Sequence, residues 1–201
     1  MLNTSTKSET LKLDFFSYLK ALFNLMKPRV MSLVIFTCVV GLLIAPIKVN
    51  FFNAIFSILA VALGSGAAGA LNMWYEADLD SVMSRTCLRP IPTGKVTKNQ
   101  ALIFGILASL ISVVALYFFS NLVASFILAT TILFYVFIYT IWLKQKTPQN
   151  IVIGGAAGAL PPIIGWAIAT GDITLQPVIS VSYTHLRAHE TRHDLVCRLL
   201  L

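Results

Sequence analysis

Charge is what this chain has least of. Asp, Glu, Lys and Arg together make up 11% of its 201 residues, against 57% for the apolar types. A soluble domain must wet its surface and carries about 25% charged residues, so that class is excluded. Histidine is confined to His185, His189 and His193, and cysteine to Cys38, Cys87 and Cys197. Cysteines this few and this scattered imply no disulfide framework. Residues 1–26 hold Glu9 and Asp14 but no Arg, unlike a mitochondrial transit peptide. The first apolar run starts only near residue 30 and lacks a small-residue cleavage site, so no cleavable signal is expected.

What fills the chain is long apolar runs. Stretches 30–46, 51–74, 101–119, 122–143 and 151–170 are 17 to 24 residues long, and none contains Lys, Arg, Asp or Glu. Each is long enough to cross a hydrocarbon layer about 30 Å thick. The expected fold is all-α, a polytopic transmembrane helix bundle with five spans in this chain.

The net charge of +7 raises nucleic acid as a partner, and its distribution answers no. With the N-terminus inside, the inside segments hold Lys7, Lys12, Lys20, Lys27, Arg29, Arg85, Arg89, Lys95, Lys98, Lys144 and Lys146, while the outside connections before the tail hold Lys48 alone. Such asymmetry is the signature of topology. It predicts residues 75–100 and 144–150 in the cytoplasm, residues 47–50 outside, and the lipid bilayer as the partner. A bacterial inner membrane is the expected location.

Three divisions are expected. Residues 1–26 form a cytoplasmic or interfacial segment, in which Leu11, Phe15, Leu19 and Leu22, with Phe16 and Phe23 beside them, lie along one side of a helix. Residues 27–180 form a partial transmembrane domain. In residues 181–201 the composition shifts abruptly. His185, His189 and His193 share a helical face at i, i+4 and i+8, a spacing that suits a metal. The wording of the segment nevertheless resembles translated adapter or vector read-through, and a non-native tail is the expectation.

The chemistry is concentrated in Asn72-Met-Trp-Tyr-Glu76-Ala-Asp78-Leu-Asp80, where the second span meets the cytoplasm. Residues four apart share a helix face, so Asn72, Glu76 and Asp80 form one polar strip and Asp78 points elsewhere. Two carboxylates and a carboxamide are hard oxygen donors of the kind Mg²⁺ takes while bridging to substrate phosphates. Arg85 and Arg89 follow, and guanidinium suits diphosphate oxygens. A solvated loop tied by weak surface ion pairs fits the spacing equally well.

The wider pattern separates the two readings. Asn72-x3-Glu76-x3-Asp80-x2-Met83-x-Arg85-Thr86-x2-Arg89-Pro90-Ile91-x2-Gly94 resembles the first aspartate-rich motif of the UbiA-type intramembrane prenyltransferases, with Glu76 where Asp is frequent. Within them it is most similar to the protoheme IX farnesyltransferases, or haem O synthases. The blocks Lys27-Pro28-Arg29-Val30-Met31 and Thr147-Pro148-Gln149-Asn150 through Pro161-Pro162 agree, and the likeness covers residues 20 to about 170.

The resemblance implies a bundle of nine helices around a lipid-fed cavity. It implies farnesyl diphosphate held through Mg²⁺ at two aspartate-rich motifs, and transfer of the farnesyl group to a vinyl group of protoheme IX. Asn72, Glu76 and Asp80 would be the metal ligands and the catalytic set. Arg85, Arg89 and Lys146 would contact the diphosphate. Between residues 20 and 180 the acids form this one cluster plus Asp172, on the opposite face, so the 201 residues by themselves are expected to be inactive. A quinone-precursor prenyltransferase is the nearest rival. A transporter would place its polar groups near the midplane, and a lipid-headgroup phosphotransferase would carry Gly directly after its paired Asp.

Pro161 and Pro162 are expected to kink or break the fifth helix. Ala62-x3-Gly66-x3-Ala70 and Gly154-x3-Gly158 have the spacing of closely approaching membrane helices. Trp142 and Trp166 are expected at interfaces or in helix contacts.

Overall fold

A computed structural model describes residues 15–84, 86–143 and 150–172. Arg85, Lys146, the tail from residue 181 and its three histidines lie outside the described residues. Helix α1 spans Phe15–Leu25, α2 Pro28–Ile44, α3 Phe51–Tyr75, α4 Ala77–Val82, α5 Lys98–Phe119 and α6 Leu122–Leu133. A π-helix, Phe134–Leu143, prolongs α6, and α7 spans Asn150–Thr170. The described residues contain no strand.

Local chemistry sets several boundaries. Lys27 takes φ 52°, a left-handed conformation, and Pro28 follows as the first residue of α2. Its ring supplies helical φ where no N–H is needed, so α1 and α2 meet at a bend of 56°. Thr97 and Gln100 close a reciprocal capping box on α5, satisfying two otherwise orphaned donors. Asn121 caps α6 by accepting from the Ala124 N–H at 2.8 Å.

Among the described residues three helices are long and apolar enough to cross a membrane: α3, α5, and α6 with its π extension over Leu122–Trp142. The bent α1–α2 pair makes a fourth if it counts as one span. The fifth expected span, 151–170, is helical as α7, and the portion of it whose side chains are described, Gly158–Thr170, is apolar. α7 runs unbroken through Pro161 and Pro162, so the expected break does not occur. Membrane helices tolerate proline where neighbouring helices support the backbone, and α2 lies tightly against this stretch.

α3 lies in the middle. It makes its most extensive contacts with α5, while α2 pairs most closely with α7. One core unites Cys38, Val61, Leu116, Leu128, Ile132, Ile164 and Ala167 from α2, α3, α5, α6 and α7. A second joins Ala21 and Leu25 of α1 to Ala70, Met73, Val96 and Ala101. Outward-facing Phe36, Leu43, Phe118, Leu122 and Phe126 are each more than 60% exposed, a surface suited to lipid, where helix association gains little from hiding apolar groups.

The N-terminal helix leaves Phe16, Leu19 and Phe23, members of the expected apolar side, exposed, and packs its other side inward, with Ala21 and Leu25 buried and Tyr18 and Leu22 beside them. The small residues of α3 serve close approach, as expected. A Cβ on Gly66 would lie 2.4 Å from Met26 Cε, so this glycine lets the α1–α2 bend, and Lys27 with it, settle against α3. Trp142 is exposed and Trp166 buried.

Candidate functional site

α3 ends at Tyr75, and Glu76 is a joint with φ −87° and ψ 3° before α4 begins. The i+4 register survives it. Glu76 N–H donates to Asn72 C=O at 3.1 Å and Asp80 N–H to Glu76 C=O at 2.8 Å. Asn72, Glu76 and Asp80 therefore stay in line, and all three are buried, at 2%, 8% and 3% exposure. Asp78 faces away, with its side chain 87% exposed and held by Lys98 Nζ at 2.5 Å. The spacing argument thus separates the carboxylates as the structure does.

Buried carboxylates need partners. Arg89 Nη1 donates to Asp80 Oδ2 at 2.6 Å and lies 4.0 Å from Glu76 Oε2. The loop folds back to deliver it. Thr86 Oγ1 donates to Asp80 C=O at 3.1 Å, and Lys95 and Val96 N–H groups both close on Pro90 C=O at 3.0 and 3.2 Å. Gly94, at φ 73°, makes the reversal in a region that favours glycine. Val96, 1% exposed, anchors the end of the loop in the second core.

Two residues that the sequence reading did not place in the site complete it. Lys27 Nζ donates to Asn72 Oδ1. Asn72 Nδ2 donates to Glu76 Oε1 at 3.0 Å and to Thr140 Oγ1 at 3.2 Å. Lys27 carried a signal, since Lys27-Pro28 opens a span. Thr140 carried none: it is one hydroxyl within an apolar run, sixty-eight positions along the chain from its partner.

Beside Lys27 opens a cavity of about 240 Å³, lined mainly by apolar side chains. Val34, Val61, Leu128 and Ile164 line it together with Tyr135 and Lys27. On the α3 side Gly64, Ser65, Ala68 and Gly69 keep the wall thin. Lys27 thus belongs both to this apolar lining and, through Asn72, to the charged strip.

The donor set suits a hard divalent cation. Glu76, Asp80 and the Asn72 carboxamide present oxygens on one strip, and Mg²⁺ takes one or two carboxylates plus substrate phosphates. Among the described residues no cluster of three or more His, Cys, Asp or Glu side chains exists. Arg89 and Lys27 neutralise the strip in this arrangement.

Comparison with known proteins agrees in kind. The model of the UbiA prenyltransferase family matches residues 34–195. The chain is 63% identical over 179 residues to the protoheme IX farnesyltransferase of Pelagibacter ubique, covering 89% of this chain and 59% of that protein. It is 58% identical over 151 residues to the protoheme IX farnesyltransferase of Bartonella tribocorum, covering 75% and 49%. With protoheme IX farnesyltransferase 2 of Mesorhizobium japonicum it shares 54% identity over 157 residues, covering 78% and 50%. The chain thus spans about half to three-fifths of the length of these relatives. No solved structure matches.

Proposed function

Because this chain belongs to the UbiA prenyltransferase family, we propose that the protein it represents transfers a farnesyl group from farnesyl diphosphate to a vinyl group of protoheme IX, giving haem O. The single observation that carries the reading is the buried Asn72–Glu76–Asp80 strip, held by Arg89 and by Lys27, which also lines an apolar cavity. An isoprenoid tail fits the cavity and a diphosphate head fits the cations.

Asn72, Glu76 and Asp80 would hold Mg²⁺, and Arg89, Arg85 and Lys146 would meet the diphosphate. When bound, the metal supplies positive charge against the oxygens of the departing diphosphate. The protein's own groups do the rest. Arg89 and Lys27, held beside the strip by Asp80 and Asn72, would supply positive charge where negative charge grows on the diphosphate, where electrostatic stabilisation is largest. The carbon–oxygen bond of the allylic diphosphate breaks with its electron pair on oxygen, and the terminal vinyl carbon attacks the allylic carbon through its π bond; the cation left on the carbon beside the macrocycle is then captured by water, which loses a proton and leaves a hydroxyl there. Apolar walls such as Val34, Val61 and Ile164 keep water from the cation before the acceptor reaches it.

The direct test is Mg²⁺-dependent formation of farnesylated haem by membranes holding a full-length relative that carries residues 1–180 of this sequence. The 201 residues alone, with one acidic cluster, should yield none. Product from the full-length protein with a quinone precursor instead of haem would replace the acceptor. No prenyl transfer to either would remove the reading.

We also propose that the strip faces the cytoplasm, on the charge asymmetry of the loops. Single cysteines introduced at Lys48 and Lys95 should label from opposite sides of sealed vesicles, Lys95 from the cytoplasmic one. Labelling of both from one side would overturn the orientation.

A further inference from the structure

We infer that Thr140 is a positioning residue of the metal strip: its hydroxyl fixes which way round the Asn72 carboxamide sits. The inference rests on the proposed role of Asn72 as a metal ligand. A carboxamide has two faces of opposite chemistry, one acceptor oxygen and one NH₂. Only the oxygen can bind a cation. Asn72 Nδ2 spends both hydrogens, one on Glu76 Oε1 at 3.0 Å and one on Thr140 Oγ1 at 3.2 Å. The oxygen is left facing the ammonium of Lys27, which itself lines the cavity.

Thr140 can accept that bond because its own hydrogen is already committed. Its Oγ1 donates to Tyr135 C=O at 2.9 Å, five residues back. That separation is one turn of the π-helix Phe134–Leu143, and π turns recur at functional sites. The hydroxyl is thus held as an acceptor toward Asn72, in a residue only 1% exposed. A turned amide would press its oxygen against the Glu76 carboxylate and require Thr140 to give up Tyr135. A cation held by Glu76 would compete with the Asn72 amide for that carboxylate, and Thr140 would then be the remaining acceptor of Nδ2. Outer partners of this kind commonly change metal affinity about tenfold or more when removed.

The test uses the purified full-length protein carrying this sequence, with Mg²⁺ titrated at fixed inorganic pyrophosphate and the rise in Tm as readout, alongside the Mg²⁺ dependence of farnesyl transfer. Thr140→Val should raise the half-saturating Mg²⁺ concentration about tenfold in both assays, while pyrophosphate affinity at saturating Mg²⁺ moves little. Thr140→Ser, which keeps the hydroxyl, should return the Mg²⁺ half-point to within about twofold of the parent. Asn72→Ala is the reference and should shift it further. A shift in Asn72→Ala without one in Thr140→Val overturns the inference and leaves the site reading intact. No shift in either removes the site reading, and the inference with it. Should Thr140→Val fail to accumulate, Thr140→Cys replaces it. Failure of both, with Thr140→Ser accumulating and showing an unshifted half-point, would mark the hydroxyl as a folding requirement and overturn the inference.

Discussion

Asp80→Asn, in the full-length protein, should lose farnesyl transfer by about 10²-fold or more, the scale on which a preorganised charge acts in a transition state, while still inserting in the membrane. Asp80 is 3% exposed and accepts from Arg89 at 2.6 Å. The neutral amide would withdraw an anionic ligand from the proposed metal and leave Arg89 with Glu76 at 4.0 Å as its remaining acidic neighbour. Asp78→Asn is the control. Its carboxylate is exposed and paired only at the surface with Lys98, and such pairs are worth about 0–1 kcal/mol. Its activity should stay within about threefold of the parent. Activity is to be measured as Mg²⁺-dependent product per unit of inserted protein. Equal losses in the two variants would show that the shared face of Asn72, Glu76 and Asp80 has no bearing on catalysis.

Gly165→Val should abolish the folded state before any chemistry is reached. A Cβ at Gly165 would stand 2.0 Å from Cys38 O and 2.9 Å from Leu42 N, both backbone atoms of α2. The relation is mutual, since a Cβ at Gly41 would lie 2.1 Å from Pro162 O. Backbone cannot swing aside as a side chain does, so the two helices must separate. Overpacking of an ordinary core costs about 1–3 kcal/mol, and a backbone clash should exceed that range. Gly64→Ala makes the comparison, because its nearest neighbours are the Ser112 hydroxyl at 3.0 Å and Leu128 methyl groups at 3.1 and 3.3 Å. Those side chains have room to turn. Detergent-solubilised Gly165→Val should therefore appear aggregated by gel filtration where Gly64→Ala stays monodisperse with a modestly lower Tm. A monodisperse Gly165→Val with the parent Tm would mean that α2 and α7 do not depend on this contact.

How far the site was legible from the chain follows from the distances in sequence over which it is built. Asn72, Glu76 and Asp80 are near neighbours on one helical register, so spacing alone brought them together and set Asp78 apart. Arg89 belonged to the same motif, and only the folded loop, with Thr86 on Asp80 C=O and the reversal at Gly94, shows that it reaches Asp80. Lys27 and Thr140 come from elsewhere. Lys27 reaches Asn72 because a left-handed residue turns the chain by 56° before α2 and Gly66 admits the bend.

By itself the sequence determined the class of this protein: a helical membrane bundle, and one polar strip on one helix end. Those properties depend on composition and on periodicities of a few residues, which burial and hydrogen bonding translate directly into structure. Tertiary structure alone decided which way α1 faces, the unbroken course of α7 through Pro161 and Pro162, the π winding after Leu133, and the pairing of Asn72 with Thr140. Each of these depends on atoms brought together from distant parts of the chain. Gly41 and Gly165 illustrate the reason: either glycine in the sequence is only a small residue, and the backbone of the other helix, 2.0 to 2.1 Å from where a Cβ would stand, is what makes it irreplaceable.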